Sequence, residues 1–142
     1  MRGKKINGRK RHVVVDTLGL LWALVITPAS VQDAEGAKQA LVEFREQVKF
    51  PKLIWVDAAY RAVVDWAWVC WTWTLEVVSS LKDQKGFVVQ PKRWIVERTF
   101  GWLNRSRRLA KDYERTTESS HAFVQLAMIH LMTRRLKKLT AF

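Results

Sequence analysis

At 142 residues and 49% hydrophobic composition, the chain has room for one compact domain with a core, not for two, and is not a disordered segment. Its lone cysteine, Cys70, excludes an internal disulfide framework and a cysteine-based zinc site. The net charge of +12 is unevenly placed: residues 1–12 hold six Lys/Arg and no acid, residues 13–91 are net −2, and residues 92–142 are net +8. Clustered cations attract polyanions because each neutralised phosphate releases counterions, so nucleic acid is the expected partner. A membrane surface and a solvated basic face are the alternatives. The longest apolar stretch, Leu18 to Ile26, is too short to span a bilayer, and Met1 to Arg11 is not signal-like. The single thiol fits a reducing compartment, so a soluble cytoplasmic protein with no membrane partner is expected. Cys70 itself, among Trp68, Val69 and Trp71, reads as a buried apolar residue.

Residues 1–11 read as a flexible basic arm carrying Lys4, Lys5, Arg9, Lys10 and Arg11, with the folded domain over 12–142. The β-branched run His12 to Asp16, the turn Thr17-Leu18-Gly19 and the run Leu20 to Thr27 predict a β-hairpin. Ala34, Ala37, Leu41, Phe44 and Val48 recur at helical spacing and predict a helix over 30–48, capped by Ser30 or Asp33. Leu53-Ile54-Trp55-Val56 reads as a strand buried on both faces and ending in Asp57. A helix over 58–71, a strand over 74–78 and a further strand over 85–90 follow. Pro91 suits a helix start, so a helix is expected over about 92–110, and a last one over about 120–138. The order predicts an α/β fold, a mixed sheet covered by helices. The crowded Trp66, Trp68, Trp71 and Trp73, and Trp94 and Trp102, are expected to pack in the core rather than stack on bases. His12, His121 and His130 lack metal-ligand spacing.

Two carboxylates stand out. Asp57 follows an apolar strand, at the end of a sheet where α/β folds bind ligands; an ordinary turn aspartate is the alternative. Glu97 shares a predicted helix face with Arg93, Asn104, Arg108 and Lys111. Such a face is either a solvated one held by i,i+4 pairs or a carboxylate that holds a divalent metal while its neighbours hold phosphate oxygens. Mg²⁺ takes hard oxygen ligands, commonly one or two carboxylates plus substrate phosphate.

The segment Arg93-Trp94-Ile95-Val96-Glu97-Arg98-Thr99-Phe100-Gly101-Trp102-Leu103 resembles the glutamate-bearing motif of the DDE transposases of bacterial insertion sequences. The resemblance extends, in order, to 8–20, Val31-Gln32-Asp33, Leu53 to Arg61, and Arg107 to Glu114. It implies an RNase H-like mixed sheet flanked by helices and a carboxylate metal triad, with Asp57 as the second aspartate and Glu97 as the glutamate, both catalytic and both metal ligands. It further implies two Mg²⁺ (or Mn²⁺) ions, double-stranded DNA as substrate (transposon ends and target), a nucleoid-associated location and a possible homodimer. Arg93 matches the signature arginine, and Arg98 and the cluster Arg105, Arg107 and Arg108 match basic positions near the DNA backbone. Lys111 and the arm cations are expected to add to that surface.

The same resemblance carries departures. The family's first aspartate lies on a central opening strand just upstream of the segment seen as Gly3-Lys4-Lys5, so that strand is expected to be missing here, leaving unpaired backbone beside it. Gln90 and Asn104 stand near the signature's tyrosine and lysine, and Ala59 where relatives have glycine. Asp16 aligns with a hairpin-turn aspartate and not with the triad. A transposase fragment is therefore expected, with an inactive DNA-binding fragment or a decayed remnant as alternatives.

Overall fold

The computed structural model describes residues 8–78 and 91–141. Strand β1 (Arg9–Val15) and strand β2 (Leu21–Pro28) form the predicted hairpin, paired antiparallel from Arg9 with Pro28 to Val15 with Leu21, with an irregularity at Val14/Val15. Asp16 closes it. Its carboxylate accepts from the Leu18 and Leu20 amides at 2.9 and 3.0 Å and from Trp22 Nε1 at 3.1 Å, so all its capacity serves the turn. Gly19 completes the turn at φ 78°, a left-handed conformation that a side chain would strain.

Helix α1 (Asp33–Gln47) follows. Its N-cap is Gln32 and makes no side-chain cap bond, so neither Ser30 nor Asp33 plays the expected part. Asp33 instead receives Lys10 Nζ at 2.9 Å, while Asp33 and Glu35 complement the helix dipole from the first turn. Strand β3 (Ile54–Asp57) leads through a 3₁₀ turn at Ala58–Tyr60 into helix α2 (Ala62–Trp71), and strand β4 (Leu75–Val78) pairs parallel to β3. Helix α3 (Pro91–Asn104) stops well short of the expected Ala110, giving way to a 3₁₀ turn at Arg107–Leu109. Arg108 and Lys111 therefore do not continue the Arg93–Glu97 helix face. Helix α4 (Thr117–Thr140) closes the fold, with Thr116 Oγ1 accepting from the Ser119 amide at 3.1 Å as its cap. The expected strand over 85–90 lies outside the described residues.

The chain is a mixed α/β protein, and among the described residues the strands of the expected single sheet pair as two two-stranded sheets, β1–β2 and β3–β4. Neighbouring β2 residues turn to opposite faces, and this organises the core. Ala23 packs with Leu41, Phe44, Val63, Ala67, Trp73 and Leu75 on the α1 and α2 side. Leu24 packs with Leu103, Leu109, Val124 and Met128 on the α3 and α4 side. Thus β2 is the wall between two apolar clusters, and His121 Nε2 pins α4 to it by donating to the Leu24 carbonyl at 3.0 Å.

Several burial expectations are corrected. Cys70 is exposed, because the buried face of α2 runs through Val63 and Ala67. Trp73 is buried and donates Nε1 to the Lys49 carbonyl at 3.0 Å, but Trp68 and Trp94 are 56% and 47% exposed. β3 is not buried on both faces, since Trp55 is 37% exposed. Arg9–Arg11, read as the end of a flexible arm, belong to β1.

Candidate nucleic-acid and metal site

Asp57 ends β3 and starts the 3₁₀ turn, where its Oδ1 accepts from the Ala59 amide at 3.4 Å. Glu97 projects from the middle of α3. The Arg93 guanidinium joins them: its Nε lies 3.5 Å from Asp57 Oδ2 and 3.3 Å from Glu97 Oε1. Two carboxylates 40 positions apart in sequence thus converge on one cation. All three side chains are well exposed, at 37%, 53% and 62% for Asp57, Arg93 and Glu97, so the ion pairs themselves stabilise the fold by no more than about 1 kcal/mol.

α3 is held in place from the other side. Thr99, fully buried, donates its hydroxyl to the Gly19 carbonyl at 2.8 Å, with the Ile95 carbonyl also within reach at 3.1 Å. A Cβ at Gly19 would come within 2.8 Å of that hydroxyl and 2.9 Å of the Trp102 ring. Leu103 is buried in the core beneath. Arg98 lies between two indoles, 4.6 Å from the Trp94 centroid and 4.7 Å from that of Trp102, and Arg135 covers Trp102 at 4.3 Å. Lys92 stacks on Trp55 at 4.3 Å, bridging α3 to β3. Helix α3 is thereby fixed against the hairpin on one face and presents Arg93 and Glu97 to Asp57 on another.

A cavity of about 620 Å³ opens beside the carboxylates, and Asp57, Tyr60, Arg93 and Glu97 all line it. Burial, reinforced by Asp33 and Asp57, pushes the Tyr60 hydroxyl above its ordinary value, so it stays protonated and able to donate. Tyr60 and Lys92 were not singled out from the sequence. Tyr60 lies within a motif segment, three residues after Asp57, whereas Lys92 stands just outside one, directly before Arg93.

The expected DNA-facing cations divide into two sets. Arg9 is occupied within the protein: its guanidinium donates to both Asp112 oxygens at 3.2 and 3.0 Å and to the Glu114 and Arg115 carbonyls at 2.9 and 2.8 Å. Lys10 donates to the Val31 carbonyl and Asp33, and Arg108 to Glu114 at 2.6 Å. Arg98 is stacked between tryptophans, and its Nε is buried without a hydrogen-bond partner among the described residues. Arg11, Arg105, Arg107 and Lys111 make no ion pair among the described residues. Arg11 and Lys111 meet Asn104 at a second cavity of about 340 Å³ next to the end of α3. Lys4 and Lys5 lie outside the described residues.

As a metal centre the donor set is partial. Asp57 and Glu97 offer hard oxygen ligands of the kind Mg²⁺ takes along with substrate phosphate, yet no group of three His, Cys, Asp or Glu side chains comes together among the described residues. Nor, among them, is any helix long and apolar enough to cross a membrane.

A family model of the transposase DDE domain matches residues 2–132, and the chain belongs to that family. It is similar to a protein named as a transposase for insertion sequence element IS402 of Burkholderia cepacia, with 28% identity over 132 residues, 84% of this chain and 60% of that relative. The chain therefore spans about 60% of the length of the curated relative it matches. No solved structure matches it.

Proposed function

We propose that the chain is the DNA-contacting catalytic part of an insertion-sequence transposase with an RNase H-like sheet, in which Asp57 and Glu97 are metal ligands. The observation that carries this reading is the meeting of Asp57 and Glu97 on Arg93. A bound Mg²⁺ or Mn²⁺, a pair of ions in the intact family, supplies Lewis-acid stabilisation of the phosphodiester oxygens. The protein's own part is positional. Thr99, Leu103 and the Trp94–Arg98–Trp102 stack hold α3, so that Glu97 faces the end of β3. Arg93 neutralises the carboxylates in the absence of metal, and turning from them leaves its guanidinium to a phosphate. Arg11, Arg105, Arg107 and Lys111 carry the DNA backbone contacts.

Nicking of supercoiled plasmid with Mg²⁺ or Mn²⁺ tests the catalytic reading: Glu97→Ala and Asp57→Ala are each expected to abolish nicking, and equal activity in either variant refutes the assignment. Duplex binding tests the basic surface. Affinity should fall steeply with salt, and Arg11→Ala or Lys111→Ala should each lower the log–log slope by about one, the loss of one phosphate contact.

A further inference from the structure

The two faces of β3 have different surroundings. Ile54 and Val56 pack against the first apolar cluster. Side chains alternate along a strand, so Trp55 and Asp57 share the opposite face, about 6.6 Å apart along the chain. Trp55 is 37% exposed, and its ring is fixed by its edge: Nε1 donates to Oε2 of Glu76, its partner residue on β4, at 3.3 Å. Over one face of the ring lies only the Lys92 ammonium, 4.3 Å from the centroid. Lys92 directly precedes Arg93, the cation that joins Asp57 to Glu97. The other exposed indoles are placed differently. Trp94 gives its ring to Arg98, which Trp102 clasps from the other side. Trp22 meets Phe44 edge-on and donates to Asp16, and Trp68 stands beside the exposed Val69 and Cys70 of α2.

We propose that Trp55 is a base-stacking platform, which takes, on the face covered by Lys92, an unpaired base from the nucleotide next to the phosphodiester held at Asp57 and Glu97. The inference rests on the metal-ligand reading of those two carboxylates, which puts a phosphate beside Asp57. A separation of about 6.6 Å along the strand is on the scale of one nucleotide step, so a phosphate at Asp57 brings the neighbouring base to Trp55. Stacking of a base on an indole outweighs an exposed lysine–indole contact, so the base displaces the ammonium. Lys92 is then free to pair with a backbone phosphate, which is where a displaced cation is worth most. A base inside a duplex is stacked on its neighbours and has no face to offer, so the occupant is a nucleotide at a single-stranded end or turned out of the helix. Every base has such a face, so the platform selects unpaired structure and not sequence.

The test uses the 142-residue chain and a duplex of about 20 base pairs with a thymidine overhang of about three nucleotides, beside the same duplex with blunt ends. Binding is measured at one salt concentration and in EDTA, so that no metal contributes. The chain should prefer the overhang by about tenfold. Trp55→Ala should abolish that preference, whereas Trp55→Phe, which keeps a ring but cannot donate to Glu76, should retain most of it. With 5-iodouracil in the overhang, irradiation should cross-link the DNA to Trp55. The proposal is overturned if the overhang gives no preference or if the cross-link maps to another residue. It is likewise overturned if Trp55→Phe loses as much as Trp55→Ala, the indole then serving only its bond to Glu76. Plasmid nicking separates this inference from the reading it rests on. A cross-link at Trp55 together with nicking that ignores Glu97→Ala overturns the metal assignment and leaves the stacking in place. Nicking that requires Glu97, with no cross-link at Trp55, overturns the platform alone.

Discussion

Arg9 and Arg93 both reach from one element to carboxylates on another, and their settings differ in every physical respect. Arg9 and Asp112 are 20% and 25% exposed, and the Arg9 guanidinium meets two carboxylate oxygens and two backbone carbonyls. The adjoining Glu114 is 8% exposed and is held by Arg108 at 2.6 Å and Ser119 at 2.5 Å. Arg93 is 53% exposed and offers one nitrogen to two carboxylates, each beyond 3.2 Å. The first corner is saturated and fastens β1 to the loop before α4. The second is open and loosely paired. A basic residue's number in the charge total says nothing of this; only its partners do.

That contrast can be broken, beginning with the largest effect. Arg9→Ala leaves Asp112 and two carbonyls without their donor and is expected to cost about 2–4 kcal/mol by urea unfolding. Gly19→Ala forces a side chain into a left-handed turn against Thr99 and Trp102. It should cost about 1–3 kcal/mol and loosen α3, read as faster exchange of the α3 amides. Arg93→Gln is expected to change stability by less than about 1 kcal/mol. A loss as large as that of Arg9→Ala would show that the open corner is structural after all.

A pH titration of stability sharpens the same division. Burial holds the His12 imidazole below its ordinary value, with Asp33 opposing and Lys10 assisting. His12 Nε2 lies 3.0 Å from Thr27 Oγ1, its Nδ1 has no partner among the described residues, and Gly36 of α1 packs directly on the ring. The folded state therefore takes up this proton less readily than the unfolded chain. Its stability contribution is complete above the unfolded value of about 6.5 and is lost as pH falls from there through the lowered folded value. Urea midpoints should drop as pH falls below about 6.5, and His12→Gln should flatten that drop. Glu114 acts lower on the scale. Arg108 first, then Ser119, hold its carboxyl below the usual range, so its contribution is present above about 4.3 and disappears on further acidification.

Much of this was legible in the residues themselves. The β-branched runs around Asp16 and Gly19 have no other economical fold than a hairpin, and the Ala34–Val48 spacing makes an amphipathic helix in any context. Asp57 was visible as a carboxylate behind an apolar run, and Glu97 as one acid among cations. Their pairing was not, because 40 residues of chain separate them and only the resemblance linked them. The end of α3 was also hidden: Asn104 to Arg108 carries no Pro or Gly to stop a helix, and the chain turns there so that Leu109 can enter the core beside Leu103. Local sequence thus determined the elements and the chemistry of their ends, since hydrophobic period and turn residues act over a few positions. Tertiary packing alone decided which cations are tied to the protein and which face outward, because a side chain's partner is set by what the fold brings near it. It also decided that β3 pairs parallel with β4 across α2. That pairing is a long-range contact, and no local pattern in either strand records its partner.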